Sequence, residues 1–406
     1  MNAEQNKLKK KKILYVTPCW SGLKDVLNKS NYSPTGMPAF FKVLETLSKR
    51  GNIIKIIMLT SEKKYLLKKN FIKLENVDIE CLHWSVKNIF KSIFLILINF
   101  FKITLLIKKN NPDFVYCLGS IGVLGLMPAK LMNIPHGVRY FGVNFYYAKY
   151  LKKKKLKFLL NHPFVFFSFY IKSNFFLLTN DGSPGNLLFK KIGNKETPFY
   201  FWKNGFDDFV LKKKKIKKQK NLFLYYPSRI SVKKNQIAAI KLLQLLIKKT
   251  NLKIDLILSG HISDKDYFFF LRKYCENQNL NSQVIYEGIL KKEQVYLRMK
   301  ESLAFLSLQL VSNLSNSLLE ALYHKSLVVT FKEKSINKFL KNGKSAILIN
   351  NIEEAANEIS KLVNNKKRMS MLRELGKKSL EKSFMSWDMR VKKEIELIDK
   401  TINQKF

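Results

Sequence analysis

Apolar residues near the start of the chain come in two distinct patterns. "ILYVTP" is a short continuous apolar run, as in a strand buried on both faces. "GMPAFFKVLETLSKRG" spaces its apolar residues at helical intervals and closes on basic residues and Gly51, a helix stop. "NIIKIIML" then returns to the strand pattern. Strand, loop, helix and strand in that order predict a βαβ unit, hence a parallel sheet with ligands at the carboxyl ends of its strands. The alternation continues through "DFVYCLGS", the helical "GVLGLMPAKLMN", "PHGVRYFG" and "FFLLTND".

A second alternation begins after the lysine tract "LKKKKIKKQK". Its strands read "NLFLYYPSR", "KIDLILSG", "QVIYEG", "LAFLSLQL" and "LVVTF", separated by helices such as "NQIAAIKLLQLLIKKT", "DYFFFLRKYCENQ" and "LLEALYHKS". The pattern predicts two doubly wound α/β domains joined near residues 205–220, followed by a helical tail. A ligand cleft is expected between the domains.

Two segments are apolar and basic together. "NIFKSIFLILINFFKITLLIKK" is interrupted by Asn99 and Lys102, and its apolar runs fall short of the ~20 residues a membrane span needs. "AKYLKKKKLKFLLNHPFVFFSFYIKSNFF" joins a lysine cluster to phenylalanine and leucine, a composition suited to a lipid interface. Each also fits a core helix with a solvated basic face.

Length and charge narrow the picture further. A chain of 406 residues, 46% hydrophobic, has material for two cores and is not disordered throughout. Its formal charge of +44 comes from 74 basic and 30 acidic residues; only eight of the 74 are arginine, as an AT-rich coding bias would produce. Whatever its origin, such charge attracts anionic lipid, at roughly 1 kcal/mol per lysine near the surface, or nucleic acid. No zinc-finger, RNP or helix-turn-helix pattern accompanies it, so no specific nucleic-acid partner is expected, and the non-enzyme alternative is a basic protein that binds nucleic acid through charge alone. Cys19, Cys81, Cys117 and Cys275 are scattered, and the N-terminal apolar run is too short for a signal peptide, which together predict a reduced cytoplasmic protein without structural metal.

Candidate chemistry concentrates in the second half. In "LSLQLVSNLSNSLLEAL" a strand gives way to small polar residues and then to a helix carrying Glu320 within its first turn. The helix start can bind phosphate or a sugar hydroxyl, and Glu320 can accept from the vicinal hydroxyls of a ribose; the plain alternative is a favourable charge at a helix N-terminus. "YYPSRISVKKN" sets Arg229 just past a strand and Lys234 at the next helix start, a pair suited to two phosphates. Asp264 and Asp266 form a D-x-D triplet that a metal-dependent transferase could use, although helix N-capping explains it as well.

Taken in order, "TNDG", "WKNGFD", "SRISVKKN", "LSGH", "VIYEG", "SNLSNSLLEAL" and "FMSWD" resemble the signatures of the family 4 glycosyltransferases over nearly the whole chain. The resemblance implies a GT-B fold, with two Rossmann-like doubly wound domains facing a cleft. It divides the chain into an acceptor-side domain at 1–205, a nucleotide-sugar donor domain at 206–385 and a C-terminal helix at 386–406 that packs back on the first. It implies a retaining, metal-independent sugar transfer with no cofactor, from a nucleotide-sugar to a glycan or lipid-linked acceptor. The basic, aromatic segments of the first domain would place that synthesis, of a cell-surface polysaccharide or lipopolysaccharide, at the inner face of the cytoplasmic membrane, with an anionic membrane surface as a further partner.

Carried over by residue, the resemblance gives Arg229 and Lys234 the donor diphosphate and Glu320 the ribose. Gly36 falls in the loop after the first strand, where many members have two glycines. Asn316, Ser317 and Leu318 would contact sugar and phosphate, and Asn204 lies in the N-G-[VF]-D element. Arg139 is expected to face the cleft, with His136 an ordinary loop residue. One departure stands out: the first acid of the family's E-x7-E pattern falls on Ser312, so its contact to the donor sugar is lost or supplied from elsewhere. Loss of catalysis on a retained fold is therefore a second reading.

Overall fold

The computed structural model describes residues 10–28, 32, 34, 36–66, 74–85, 89–152, 154–209 and 221–404. The lysine tract at 211–220 and most of the basic N-terminal tract lie outside the described residues. The chain divides into two compact units: Met1–Lys203 with Trp387–Phe406, and Asn204–Ser386.

The first unit is built on a seven-stranded parallel sheet: β1 (Lys12–Pro18), β2 (Ile53–Thr60), β3 (Val77–His83), β4 (Phe114–Leu118), β5 (His136–Tyr140), β6 (Phe175–Asn180) and β7 (Phe199–Lys203). Their order across the sheet is β3-β2-β1-β4-β5-β6-β7. Both faces are covered, so the central strands have no polar side: β4 reads FVYCL and is buried along its whole length. Helix Pro38–Lys49 packs on one face together with the C-terminal helix Trp387–Asn403, which contributes Trp387, Ile395 and Ile398 to that core.

The second unit repeats the design with six parallel strands: β8 (Leu222–Pro227), β9 (Ile254–Ser259), β10 (Val284–Tyr286), β11 (Ala304–Ser307), β12 (Val328–Phe331) and β13 (Ile347–Ile349). Their order is β10-β9-β8-β11-β12-β13. In each sheet the first strand of the unit lies in the interior and the chain winds away from it in both directions. That arrangement leaves a crevice at the carboxyl ends of β1 and β4, and another at those of β8 and β11.

Periodicity did not reveal every element. Strands β3, β7 and β13 are short or amphipathic; β7 reads FYFWK and is only half-buried throughout. The helical tail resolves into three helices, Ile352–Val363, Lys366–Ser383 and Trp387–Asn403. Only the last belongs to the first unit.

Candidate functional site

In the second unit, the loop after β8 carries Arg229 and Lys234, and the loop after β11 runs from Leu308 to Ser315. Neighbouring parallel strands bring these loops side by side. They are fastened to each other by Leu310 N–H donating to Lys233 O at 3.1 Å, Asn235 Nδ2 to Leu308 O at 3.0 Å, and Lys234 Nζ to Gln309 Oε1 at 2.5 Å. The Tyr226 hydroxyl donates to Lys234 O and accepts from Leu308 N at 3.2 Å.

Beneath Arg229 the support is equally specific. Gln236, the first residue of helix Gln236–Thr250, donates from Nε2 to Arg229 O at 2.9 Å and to Ser228 Oγ at 2.8 Å. Gly260, at φ +135°, approaches Ser228 O so closely that a Cβ there would lie 2.4 Å from it. The "LSGH" glycine is thus what lets the Arg229 loop settle on the end of β9.

The electrostatics of the loop favour an anion. Arg229 is exposed and Lys234 half-buried, and among the described residues neither forms an ion pair. Burial, and then the Arg229 cation, lower the Lys234 ammonium to about 8. An anion placed there would neutralise two cations that the fold leaves uncompensated.

Helix Asn316–Tyr323 begins beside this loop, with Ser315 as its N-cap accepting from Leu318 N–H at 3.2 Å. Leu318 itself is buried, and the cap already engages its N–H, whereas Asn316 and Ser317 are half-buried. Asn204 Nδ2 donates to Asn316 Oδ1 at 2.9 Å, which joins the "NGFD" element to the helix start.

Glu320 is the fifth residue of this helix, so it lies in the second turn and not the first. A dipole effect falls off within the first turn, and the charge-at-N-terminus explanation loses its force. Glu320 instead meets the Tyr296 hydroxyl, which also donates to Asp207 Oδ2 at 3.2 Å; burial, followed by these two carboxylates, pushes the Tyr296 phenol far up.

The residue at the unmatched acid position, Ser312, is half-buried and reaches Glu333, just past β12. Glu333, Asn313 and Gln309 were not singled out from the sequence. No local pattern marks them, because they converge only through the β11–β12 pairing.

Arg139 departs from expectation. It is 0% exposed within β5, and its Nε donates to Glu394 Oε1 at 3.2 Å. Tyr116 donates to the same oxygen at 2.6 Å, and Arg390 pairs with Glu394 Oε2 at 3.0 Å. The strand turns Arg139 towards the C-terminal helix, so it is a core residue of the first unit and faces no cleft. The i,i+4 pair Arg390–Glu394 in an otherwise apolar helix face was the available signal. His136 is the first residue of β5, not a loop residue; it is buried, with Nδ1 2.7 Å from Ile134 O. Gly36 lies in the left-handed region at φ +69°, just ahead of helix Pro38–Lys49, in open space. Asp264 caps helix Lys265–Asn277, accepting from Tyr267 N–H at 3.0 Å, and Asp266 lies in its first turn.

A tandem of doubly wound parallel α/β units, with a cation pair at the switch point of the second, defines the fold class of the protein. Residues 207–379 match the family glycosyl transferases group 1. The second unit is therefore a domain of that family, and the chain has the GT-B fold. The capsular polysaccharide biosynthesis glycosyltransferase CapH of Staphylococcus aureus is 26% identical over 282 residues, covering 66% of this chain and 74% of that protein. Among solved structures, a glycosyltransferase from Rickettsia africae ESF-5 superposes with a TM-score of 0.68 at 16% identity, over 98% of this chain and 100% of that one. Anabaena HepE, solved with UDP and glucose, gives 0.66 at 14% identity over 96% and 100%.

Proposed function

We propose that the protein is a retaining, metal-independent glycosyltransferase of family 4 that takes its sugar from a nucleotide-sugar. The observation that carries this reading is the Arg229–Lys234 pair at the β8–β11 switch point, Arg229 exposed and Lys234 half-buried, without a carboxylate partner among the described residues. As the sugar–phosphate bond breaks, negative charge grows on the departing diphosphate. A guanidinium and an ammonium fixed beside it stabilise that charge more than they stabilise the ground state. Glu320 accepts from the ribose hydroxyls, and the Asn316–Ser317 backbone, held by Asn204, contacts the sugar and phosphates. No cofactor is required.

The acceptor is a growing glycan or lipid-linked saccharide of a cell-surface polysaccharide or lipopolysaccharide. The similarity to CapH supports this, as does the superposition on WaaB, a lipopolysaccharide outer core galactosyltransferase, at a TM-score of 0.62. The test is a screen of nucleotide-sugars for donor hydrolysis and thermal stabilisation. A response to one donor that disappears in Arg229→Ala and Glu320→Ala is expected. A response surviving both substitutions would overturn the site, and silence towards every donor would favour a GT-B protein without catalysis.

A further inference from the structure

Between Cys81 and Asn180 the sequence holds fourteen lysines and arginines but a single acid, Asp113. The whole chain has 74 against 30, so what sets this stretch apart is its near-absence of acids and not an excess of lysine. Asp113 is itself committed to the backbone, accepting from Lys12 N–H at 2.8 Å.

Most of this stretch builds one helical layer on the first unit. Helix Ile89–Asn110 packs beside Val123–Leu131, which packs beside Pro163–Tyr170, which in turn packs beside Lys155–Asn161. The inner side of the layer supplies Ile103, Ile107, Leu126, Phe158 and Phe169 to the core. On an ordinary surface helix the opposite side would be polar. On helix Ile89–Asn110, from Phe94 to Leu105, it is largely apolar. Phe94, Leu97, Phe101 and Leu105 follow one another at spacings of three or four residues, and so form one stripe. They are 65%, 53%, 63% and 65% exposed. Leu131 and Leu160 extend apolar exposure onto neighbouring helices of the layer. Lys102, Lys108, Lys109, Lys130, Lys155 and Lys157 are exposed around them.

We propose that this outer face of the first unit docks on an anionic lipid bilayer. The Phe94–Leu105 stripe enters the boundary between headgroups and acyl chains, and the surrounding lysines meet the lipid phosphates. Single exposed apolar residues are commonplace, whereas a contiguous exposed stripe with a polar rim marks an interaction surface. Phenylalanine and leucine flanked by lysine is the composition of a segment lying in the interfacial plane. None of the described helices is long and apolar enough to cross a membrane, so the contact is one of lying on the surface. Charge complementarity selects the occupant. Nucleic acid would satisfy the lysines but leave the leucines in water. A second copy of the chain would cover the leucines but bring two lysine-rich faces together. Anionic lipid satisfies both. The inference does not depend on the donor reading, since it requires no nucleotide-sugar.

The test is co-flotation of the full chain with vesicles at physiological salt, comparing phosphatidylcholine alone with a phosphatidylcholine–phosphatidylglycerol mixture. The wild type is expected to bind the mixed vesicles at least about tenfold better. The combined variant Phe94→Ser, Leu97→Ser, Phe101→Ser, Leu105→Ser should lose at least about tenfold in binding. The control Phe269→Ser, Phe270→Ser, at exposed positions of the second unit, should bind like the wild type. Lys102→Glu with Lys108→Glu, which leaves the apolar residues in place, tests the same face should the serine variant fail to fold. Absence of wild-type binding to the mixed vesicles would overturn the proposal, as would binding unchanged by both sets of substitutions. A wild-type dimer in sedimentation that the serine variant converts to monomer would assign the face to a second copy instead.

Discussion

Ser312 Oγ donates to Glu333 Oε1 at 3.3 Å, and the next N–H along the chain, that of Asn313, donates to Glu333 Oε2 at 3.0 Å. The loop that lacks its own acid is thus met by a carboxylate from the end of β12. Ser335 secures that carboxylate from the other side. The Asn313 side chain passes the constraint on, because its Oδ1 accepts from Gln309 N–H at 2.9 Å and from Ser307 Oγ at 3.0 Å. Gln309 then holds the Lys234 ammonium. Glu333, Asn313, Gln309 and Lys234 form one connected series.

Glu333→Ala should therefore weaken binding of a nucleoside diphosphate even though Glu333 is separated from Lys234 by two residues of this series. Removing a charged acceptor from a half-buried loop costs about 1.5–3 kcal/mol, roughly ten- to hundredfold if all of it appears in Kd. Ser312→Ala removes the long hydroxyl bond to Glu333 and the one accepted from Leu314 N–H, both 3.3 Å, and should cost about 0.5–1.5 kcal/mol. Isothermal titration of both variants decides; equal affinities for wild type and Glu333→Ala would show that the loop holds Lys234 without this carboxylate.

Lys234 provides a pH signature. With its folded-state value lowered to about 8 by burial and Arg229, the folded chain releases this proton before the unfolded chain does. An unfolded lysine titrates near 10.4, so this group makes stability rise with pH between about 8 and 10. A bound anion favours the protonated form, so diphosphate affinity should fall as pH rises through about 8, by at most about tenfold per pH unit. Lys234→Met should flatten both dependences. Denaturation and ligand titrations at matched pH values separate the two effects, and a wild-type affinity unaffected by pH would exclude Lys234 from the anion site.

The long apolar runs, β1, β2, β4, β8 and β9, were legible because a strand covered on both faces needs no alternation. The placement of Arg229, Lys234, Asn316 and Glu320 near a strand end or helix start was also legible, since the pattern located those ends. What escaped notice depends on pairing between distant segments. Nothing near residue 333 in the sequence shows that its carboxylate faces Ser312, since that follows from β11 and β12 lying side by side. Arg139 shows the converse error. A cation near the end of a strand suggested a cleft, whereas its partner Glu394 lies 255 residues away in the chain.

That partnership predicts a purely structural phenotype for Glu394→Ala. Two buried guanidiniums and the Tyr116 hydroxyl converge on this carboxylate, and removing it strands their charge in the core of the first unit. Breaking such a cluster costs about 3–5 kcal/mol, to be read from the urea midpoint. Burial raises the Glu394 carboxyl, but Arg139, Arg390 and Tyr116 outweigh it and hold the group below its usual range. A depressed carboxylate contributes stability above its unfolded value, near 4.3, and loses it as pH falls through the folded value. Wild type should destabilise with acid below about pH 4, and Glu394→Gln should lack that component. Donor affinity of whatever fraction remains folded should be unchanged, because the site lies in the other unit. A selective loss of affinity at full stability would restore Arg139 and its partner to the chemistry.

Gly260 links backbone geometry to the anion site most directly. At φ +135° it has a conformation that residues with a Cβ rarely adopt, and an added Cβ would lie 2.4 Å from Ser228 O and 2.7 Å from Ser228 C. Backbone atoms cannot rotate away as the end of a side chain would, so the loop after β8 must shift, and Arg229 with it. Gly260→Ala should cost about 1–3 kcal/mol from the backbone conformation alone. It should also weaken nucleoside diphosphate binding, whereas Gly343→Ala, at φ +68° and with its nearest neighbour the tip of Arg368 at 3.9 Å, should leave binding intact. Thermal melts with and without ligand test the pair. If both alanine variants kept the full ligand-induced shift, the seating of the Arg229 loop on Gly260 would have no part in binding.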